Sequence, residues 1–333
     1  MNVITVTDSQ TGFKYSYDAD LHLKLNTIDA GIGFYISQFT NLESKVYEVL
    51  YADIIFDQLV PVDTSDPEWI DQVAYLSFNG ATMGKFIAAN GRDLPQNDID
   101  ANISYIPVGY AGNSYGYSLE ELRKAAAMRM PLDASKARLA FRGARQHSQQ
   151  VAFFGDAQRN MYGLFNHPNV PLDNSTLDWS TATGDEIVAE MNAILNKVWN
   201  QSAQRHVPNT LLLPSNLWTI AQNMRMAVGT DTTVLEFFRR NNTYTAVTGQ
   251  ELDIRSVLWL NDAGVGGVPR MMAYEKNQDN LTMRMPIPWR SLPPQATALR
   301  LEVPCEYKIS GVEFRYPLSA AYRDVPNEGT GGA

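Results

Sequence analysis

The strongest periodic signal in the chain lies between residues 133 and 155, where Ala137, Phe141, Ala144, Ser148 and Val151 recur at steps of three and four. That spacing lines one face of a helix, and Asp133, with its short acceptor side chain, is the expected N-cap. At 1.5 Å per residue this helix is about 35 Å long. Before it, Ser118-Leu-Glu-Glu121 has the form of a capping box, and Met130-Pro131 ends the helix that the box would open. A second box, Thr183-Gly-Asp-Glu186, precedes Ile187, Val188, Met191, Ile194, Leu195, Val198 and Trp199 at near-ideal helical spacing. Ser215 is the expected cap of a helix through Leu217, Ile220, Ala221 and Met224, and residues 233–238 predict a shorter one.

Aromatic and β-branched residues predict strands over 73–78 and 103–108. Further strands are expected at 210–214, 252–258 and 270–274, the last two separated by a Gly-rich turn at 264–267, and closing strands between 299 and 322. Residues 46–62 form an apolar run closed by Pro61. The stretch between the first two strands holds Gly80, Gly84, Gly91 and Pro95 with the acids Asp93, Asp98 and Asp100. It far exceeds the about four to six residues of an ordinary connection and is expected to be a functional projection. Its acids lack EF-hand spacing and read as solvated. Residues 1–45 contain one amphipathic patch, Leu21, Leu23, Leu25 and Ile28, too little to pack alone, and 327–333 form a Gly-rich tail.

With 333 residues, 44% hydrophobic and 19% charged, the chain can bury a large core. A single cysteine, Cys305, excludes an intramolecular disulfide and fits a reducing cytoplasm. No apolar run approaches a membrane span, so no membrane partner is expected. The net charge of −9 argues against a nucleic-acid binder as a whole. Basic residues nevertheless concentrate between 123 and 145, where Arg138, Arg142 and Arg145 share a helical stripe beside the apolar one. Two readings follow: stems laid on the core with heads paired to acids, or a sequence-blind contact with nucleic acid. Catalytic signatures are absent: the sequence has no Gly-x-Ser-x-Gly elbow, P-loop or Cys pair, and His22, His147, His167 and His206 are not at metal spacing. His206 is expected to serve a helix end, and Asn166, in the turn 163–168, to satisfy backbone groups. No cofactor, metal or enzymatic activity is expected.

The order of these elements, with 62–64, 89–95 and 106–109 before the long helix and the turn 163–168 after it, resembles the major capsid proteins of tailed phages. These share the Hong Kong ninety-seven shell fold with the encapsulin nanocompartments. The resemblance runs from about residue 46 to residue 324. It implies an α+β fold with an N-terminal arm (1–45), a first part of a peripheral domain (46–72), an extended loop (73–116), spine helices (117–168), an α/β axial domain (169–284), return strands (285–326) and a flexible tail (327–333). It further implies a virion subunit, made in the bacterial host cytoplasm, that assembles with itself into hexamers and pentamers of an icosahedral head enclosing double-stranded DNA. Portal, scaffold and cement proteins are the other expected partners. Lys85, Arg92, Asp93, Asp98 and Asp100 become candidates for the assembly interface, and Arg138, Arg142 and Arg145 for contact with the packaged DNA. Some family members join a loop Lys to an Asn of the return strands. Lys85 occupies a suitable loop, but no Asn lies between 285 and 326, so non-covalent locking is expected instead. The alternatives are an encapsulin-like shell around a protein cargo and, from another class, an enzyme.

Overall fold

The computed structural model describes residues 3–7, 14–18, 53–79, 100–118, 120, 132–227, 229–297 and 300–326. The chain divides into two units, residues 1–53 and 54–333. In the first, β1 (Val3–Thr7) and β2 (Lys14–Asp18) pair as an antiparallel hairpin in the register Val3 opposite Asp18. The remainder of the expected arm lies outside the described residues.

The second unit opens with the short helix α1 (Phe56–Leu59), β3 (Val62–Asp63), β4 (Gln72–Asn79) and β5 (Asp100–Ser118). β4 pairs antiparallel with residues 100–107 of β5. The two strands expected around the long connection therefore form, but β5 continues to Ser118. Its second half, 108–118, leaves β4 and pairs with β13 instead. Ser118 ends this strand opposite Arg300, and Glu120 two residues later is helical; the rest of the helix expected between 118 and Pro131 lies outside the described residues.

The long helix α2 (Leu132–Phe154) has 23 residues and ends where Gly155 turns left-handed at φ 72°. Leu132 is already helical, so Asp133 lies inside the helix rather than at its cap. The elements that follow are β6 (Leu172–Asn174), α3 (Gly184–Gln201), β7 (Thr210–Pro214), α4 (Ser215–Asn223), α5 (Val234–Arg240), α6 (Thr243–Thr248), β8 (Asp253–Val257) and β9 (Arg270–Tyr274). β10 (Leu281–Arg284), β11 (Ile287–Ser291), β12 (Gln295–Thr297), β13 (Arg300–Ser310), β14 (Val312–Phe314) and β15 (Ala320–Asp324) complete it. At the head of α3 the Glu186 carboxylate accepts from the backbone N–H and the hydroxyl of Thr183, both at 2.8 Å. Those bonds hold the Glu186 carboxyl below its usual range. Ser215 is the first residue of α4 rather than its cap, and its hydroxyl exchanges hydrogen bonds with the Asn261 side chain.

One sheet, in the order β6-β15-β9-β7-β8, separates two apolar cores. Alternation along its strands sorts the side chains. Leu211, Leu213, Met271, Ala273 and Ala321 join Ile187, Met191, Ile194, Leu195 and Val198 of α3 on one side. Leu212, Met272, Tyr274, Ala320 and Tyr322 join Val151, Ala152 and Phe153 of α2, with Leu164, Phe165, Tyr307 and Phe314, on the other. Each such buried aliphatic or aromatic side chain contributes about 1.5–3 kcal/mol. β15, expected among strands that return to the long helix, lies inside the sheet of the α/β unit between β6 and β9. β10 leaves that unit for a three-stranded sheet, β14-β10-β3. The unit read from sequence as 169–284 is thus sealed by a strand from near the end of the chain.

Candidate assembly surface

The second large sheet, β11-β13-β5-β4 with β12 beside β13, has two unlike faces. On β13 the residues Val303, Cys305, Tyr307 and Ile309 are buried, while the alternate Glu302, Glu306 and Lys308 carry charge. Period-two alternation sends the two sets to opposite faces.

Helix α2 lies on the first face. Asn113 donates to the Ala140 carbonyl at 2.6 Å and accepts from the Trp289 indole at 3.1 Å. Lys136 donates to the Gly116 carbonyl at 3.0 Å and sits 4.4 Å above the Tyr117 ring. The Tyr307 hydroxyl bonds to Nδ1 of His147 at 2.8 Å, and Phe141 meets Trp289 edge-on at 5.3 Å. The face expected from spacing is fully buried only in its second half: Ala144, Ser148 and Val151 are covered, whereas Ala137 is half-buried and Phe141 stays 42% exposed. Arg145 forms a 2.6 Å ion pair with Asp57 and lies over the Phe56 ring. Arg138 is exposed and Arg142 half-buried on the first half of the same helix.

The turn after α2 is fixed by close backbone approach. A Cβ on Gly163 would stand 2.3 Å from the Phe153 carbonyl, so only glycine fits. Asn166 accepts from the Gly163 N–H at 2.8 Å and donates to the Phe154 carbonyl at 2.6 Å, the role expected of it. His167 packs between Tyr162 and Phe314, and burial lowers its pKa to about 4, so it is neutral near pH 7. His206 meets the end of α3 through its backbone, whose N–H donates to the Ser202 hydroxyl at 3.1 Å, while its ring Nδ1 lies 2.7 Å from the carboxylate of Glu275, which follows β9 and is invisible from local sequence.

The opposite face carries an ionic network that motif reading missed. Arg290 binds both oxygens of Glu68 at 2.8 Å and one of Glu306 at 2.7 Å, and the Tyr110 hydroxyl donates to Glu306. The Tyr110 and Arg290 hydrogen bonds hold the Glu306 carboxyl below its usual range. The usable signal was the charge alternation along 300–310, which marks a strand with one polar face. Of the sequence-derived interface candidates, Asp100 begins β5 opposite Asn79, while Lys85, Arg92, Asp93 and Asp98 lie outside the described residues. Among the described residues there is no His/Cys/Asp/Glu group arranged to hold a metal, and no helix long and apolar enough to cross a membrane.

No curated protein matches the sequence. Among solved structures, the fold is similar to the capsid of Myoviridae Phage XM1, with a TM-score of 0.73 at 14% identity over 87% of this chain and 98% of that one. It is also similar to the capsid of a native GTA particle, with a TM-score of 0.61 at 11% identity over 91% and 100%. A structure of Mycobacterium phage Ogopogo gives 0.57 at 11% identity over 87% and 99%. Residues 83–325 match the family model described as major capsid protein. Spanning most of the chain, that match carries the fold into a function: this chain belongs to the major capsid protein family, a self-assembling structural component of the virion shell rather than an enzyme.

Proposed function

We propose that the chain forms hexamers and pentamers of an icosahedral head that encloses double-stranded DNA. The observation that carries this reading is the construction of β5. Eleven of its residues, 108–118, are anchored in a sheet against β13, and its remaining residues, 100–107, pair among the described residues with β4 alone in a two-stranded ribbon. A ribbon with no sheet partner beyond its root has backbone edges to offer to another subunit. The ribbon and the connection it carries, with Lys85, Arg92, Asp93, Asp98 and Asp100, act as the extended loop. α2 acts as the spine, and the α3–α6 unit as the axial domain. Head-to-tail contacts around each ring are heterologous and close by rotation, and loop and arm contacts bridge rings. Each contact is modest, but a subunit held by several neighbours at once dissociates slowly because every later contact is intramolecular. Arg138, Arg142 and Arg145 of α2 supply weak, sequence-blind contact with packaged DNA. Portal, scaffold and cement proteins complete the head.

Negative-stain electron microscopy of the expressed chain, with the nucleic-acid absorbance ratio of the particles, tests this reading. Closed shells or capsomer rings that co-purify with nucleic acid are expected. Shells containing one co-purifying enzyme and no nucleic acid would replace it with a cargo compartment. Deletion of residues 81–100 should leave a folded subunit that no longer closes normal shells.

A further inference from the structure

The segment between β3 and β4 holds four acids, Asp63, Asp66, Glu68 and Asp71, and no residue from 61 to 75 is buried. Backbone bonds tie it to other elements only near its ends, where Asp63 accepts from Met285 N–H at 2.7 Å and Asp71 from Val108 N–H at 2.9 Å. Within it, a turn closes between Pro67 and Ile70, and Trp69 stands 80% exposed. Apolar packing therefore does little to hold this strap.

Charge takes its place. Arg284 of β10 reaches Asp66 at 2.9 Å and Asp63 at 3.4 Å, and also Glu313 at 3.3 Å. Arg290 of β11 grips Glu68 through two bonds. Lys308 of β13 reaches Asp71 at 3.0 Å and the Glu68 carbonyl at 3.4 Å. Every acid of the strap is thus paired with a cation from one of three strands that follow it by more than two hundred residues. The acids are graded in depth. Asp63 and Asp66 have side chains no more than 17% exposed, whereas Glu68 is 58% exposed beside Arg290 at 46%, and Asp71 is 90% exposed against a Lys308 that is itself only 6% exposed.

We propose that residues 63–71 form an ionic latch that sets the root of the β4–β5 ribbon and opens from its outer pairs inward as ionic strength rises. The ribbon continues directly from Asp71. On β5 the partner changes at Pro107–Val108, from Gln72 of β4 to Ser310 of β13, so this step is where the ribbon departs from the anchored sheet. With the latch closed, the root is held on both strands. With Glu68 and Asp71 released, β4 is held there only through its ladder with β5, and the ribbon can swing as a body about that step. Raising salt from about 0.1 M to about 1 M shortens the screening length from about 10 to about 3 Å, which weakens exposed pairs far more than the shielded Arg284 cluster.

Hydrogen exchange read by mass spectrometry on the full-length, unassembled subunit tests this. Amides of 67–79 and 100–107 should exchange about three- to tenfold faster in high salt, and equally so in the E68Q/D71N variant at low salt, with 210–214 and 270–274 unchanged. In that variant the salt response should be gone. The proposal is overturned if the variant exchanges like the parent, or if the salt response survives in it. Trp69→Ala is the second variant: unchanged exchange is expected, and opening as large as that of the double variant would mean that an apolar contact holds the strap.

Discussion

The two five-stranded sheets of this subunit use alternating strands of the same chain and bury them in opposite ways. In the central sheet, every residue of β7 and β9 is buried, because one set of alternating side chains fills the core under α3 and the other fills the core under α2. In the β11-β13-β5-β4 sheet only the face under α2 is apolar, and the other is held by Arg290, Lys308 and their carboxylates. Hydrophobic burial is not weakened by charge screening and is costly to undo, so the central sheet fixes the body of the subunit. Ion pairs at a surface contribute little to stability, yet they specify position.

That contrast is broken most severely inside the central sheet. Arg270 and Asp324, on adjacent strands β9 and β15, form a two-bond pair at 2.6 and 2.9 Å with both side chains no more than 7% exposed. Arg270 also donates to the Phe165 carbonyl, and Asp324 accepts from Val265 N–H. Asp324→Ala leaves a buried guanidinium without its counter-ion and should lower unfolding free energy by about 3–5 kcal/mol, read from urea denaturation.

An intermediate effect is expected at His167, beside the seam between α2 and β14. Burial depresses its folded pKa to about 4 from an ordinary 6.5. The unfolded chain therefore takes up its proton first, and stability contributed by the neutral ring is complete above about pH 6.5 and is lost as pH falls toward about 4. Melting temperature should drop by a few °C more over that window than in His167→Gln, which removes the titration. Equal pH profiles for the two proteins would show that His167 is not protonated differentially on unfolding.

The smallest effect on stability should come from the ionic face. Glu68→Gln removes a bidentate but solvent-exposed partner of Arg290, and its urea unfolding midpoint should match that of the parent. A loss as large as that of Asp324→Ala would erase the distinction between the two sheets.

Much of this was legible residue by residue. The α3 face from Ile187 to Val198, the strand-forming runs over 73–78 and 210–214, and the clasp by Asn166 all depend on neighbours within a few positions, where periodicity and turn chemistry act directly. The order of elements was enough to indicate the family. Contacts were less secure where distant partners compete with a local signal. The His206 backbone stays with Ser202 at the end of α3, as local sequence suggests, but its ring is drawn to Glu275, a partner that sequence neighbours do not reveal.

The sequence by itself determined which segments are helical or extended, which side of each is apolar, and that no catalytic constellation is written along the chain. Only the tertiary structure decided that β15 closes the α/β sheet, that β5 changes partners halfway, and that the acids of 63–71 meet Arg284, Arg290 and Lys308. The physical reason is the range of the interactions. Propensity and periodicity act over a few residues, whereas strand pairing and ion pairing are indifferent to separation along the chain and are fixed only when the cores bring remote segments together.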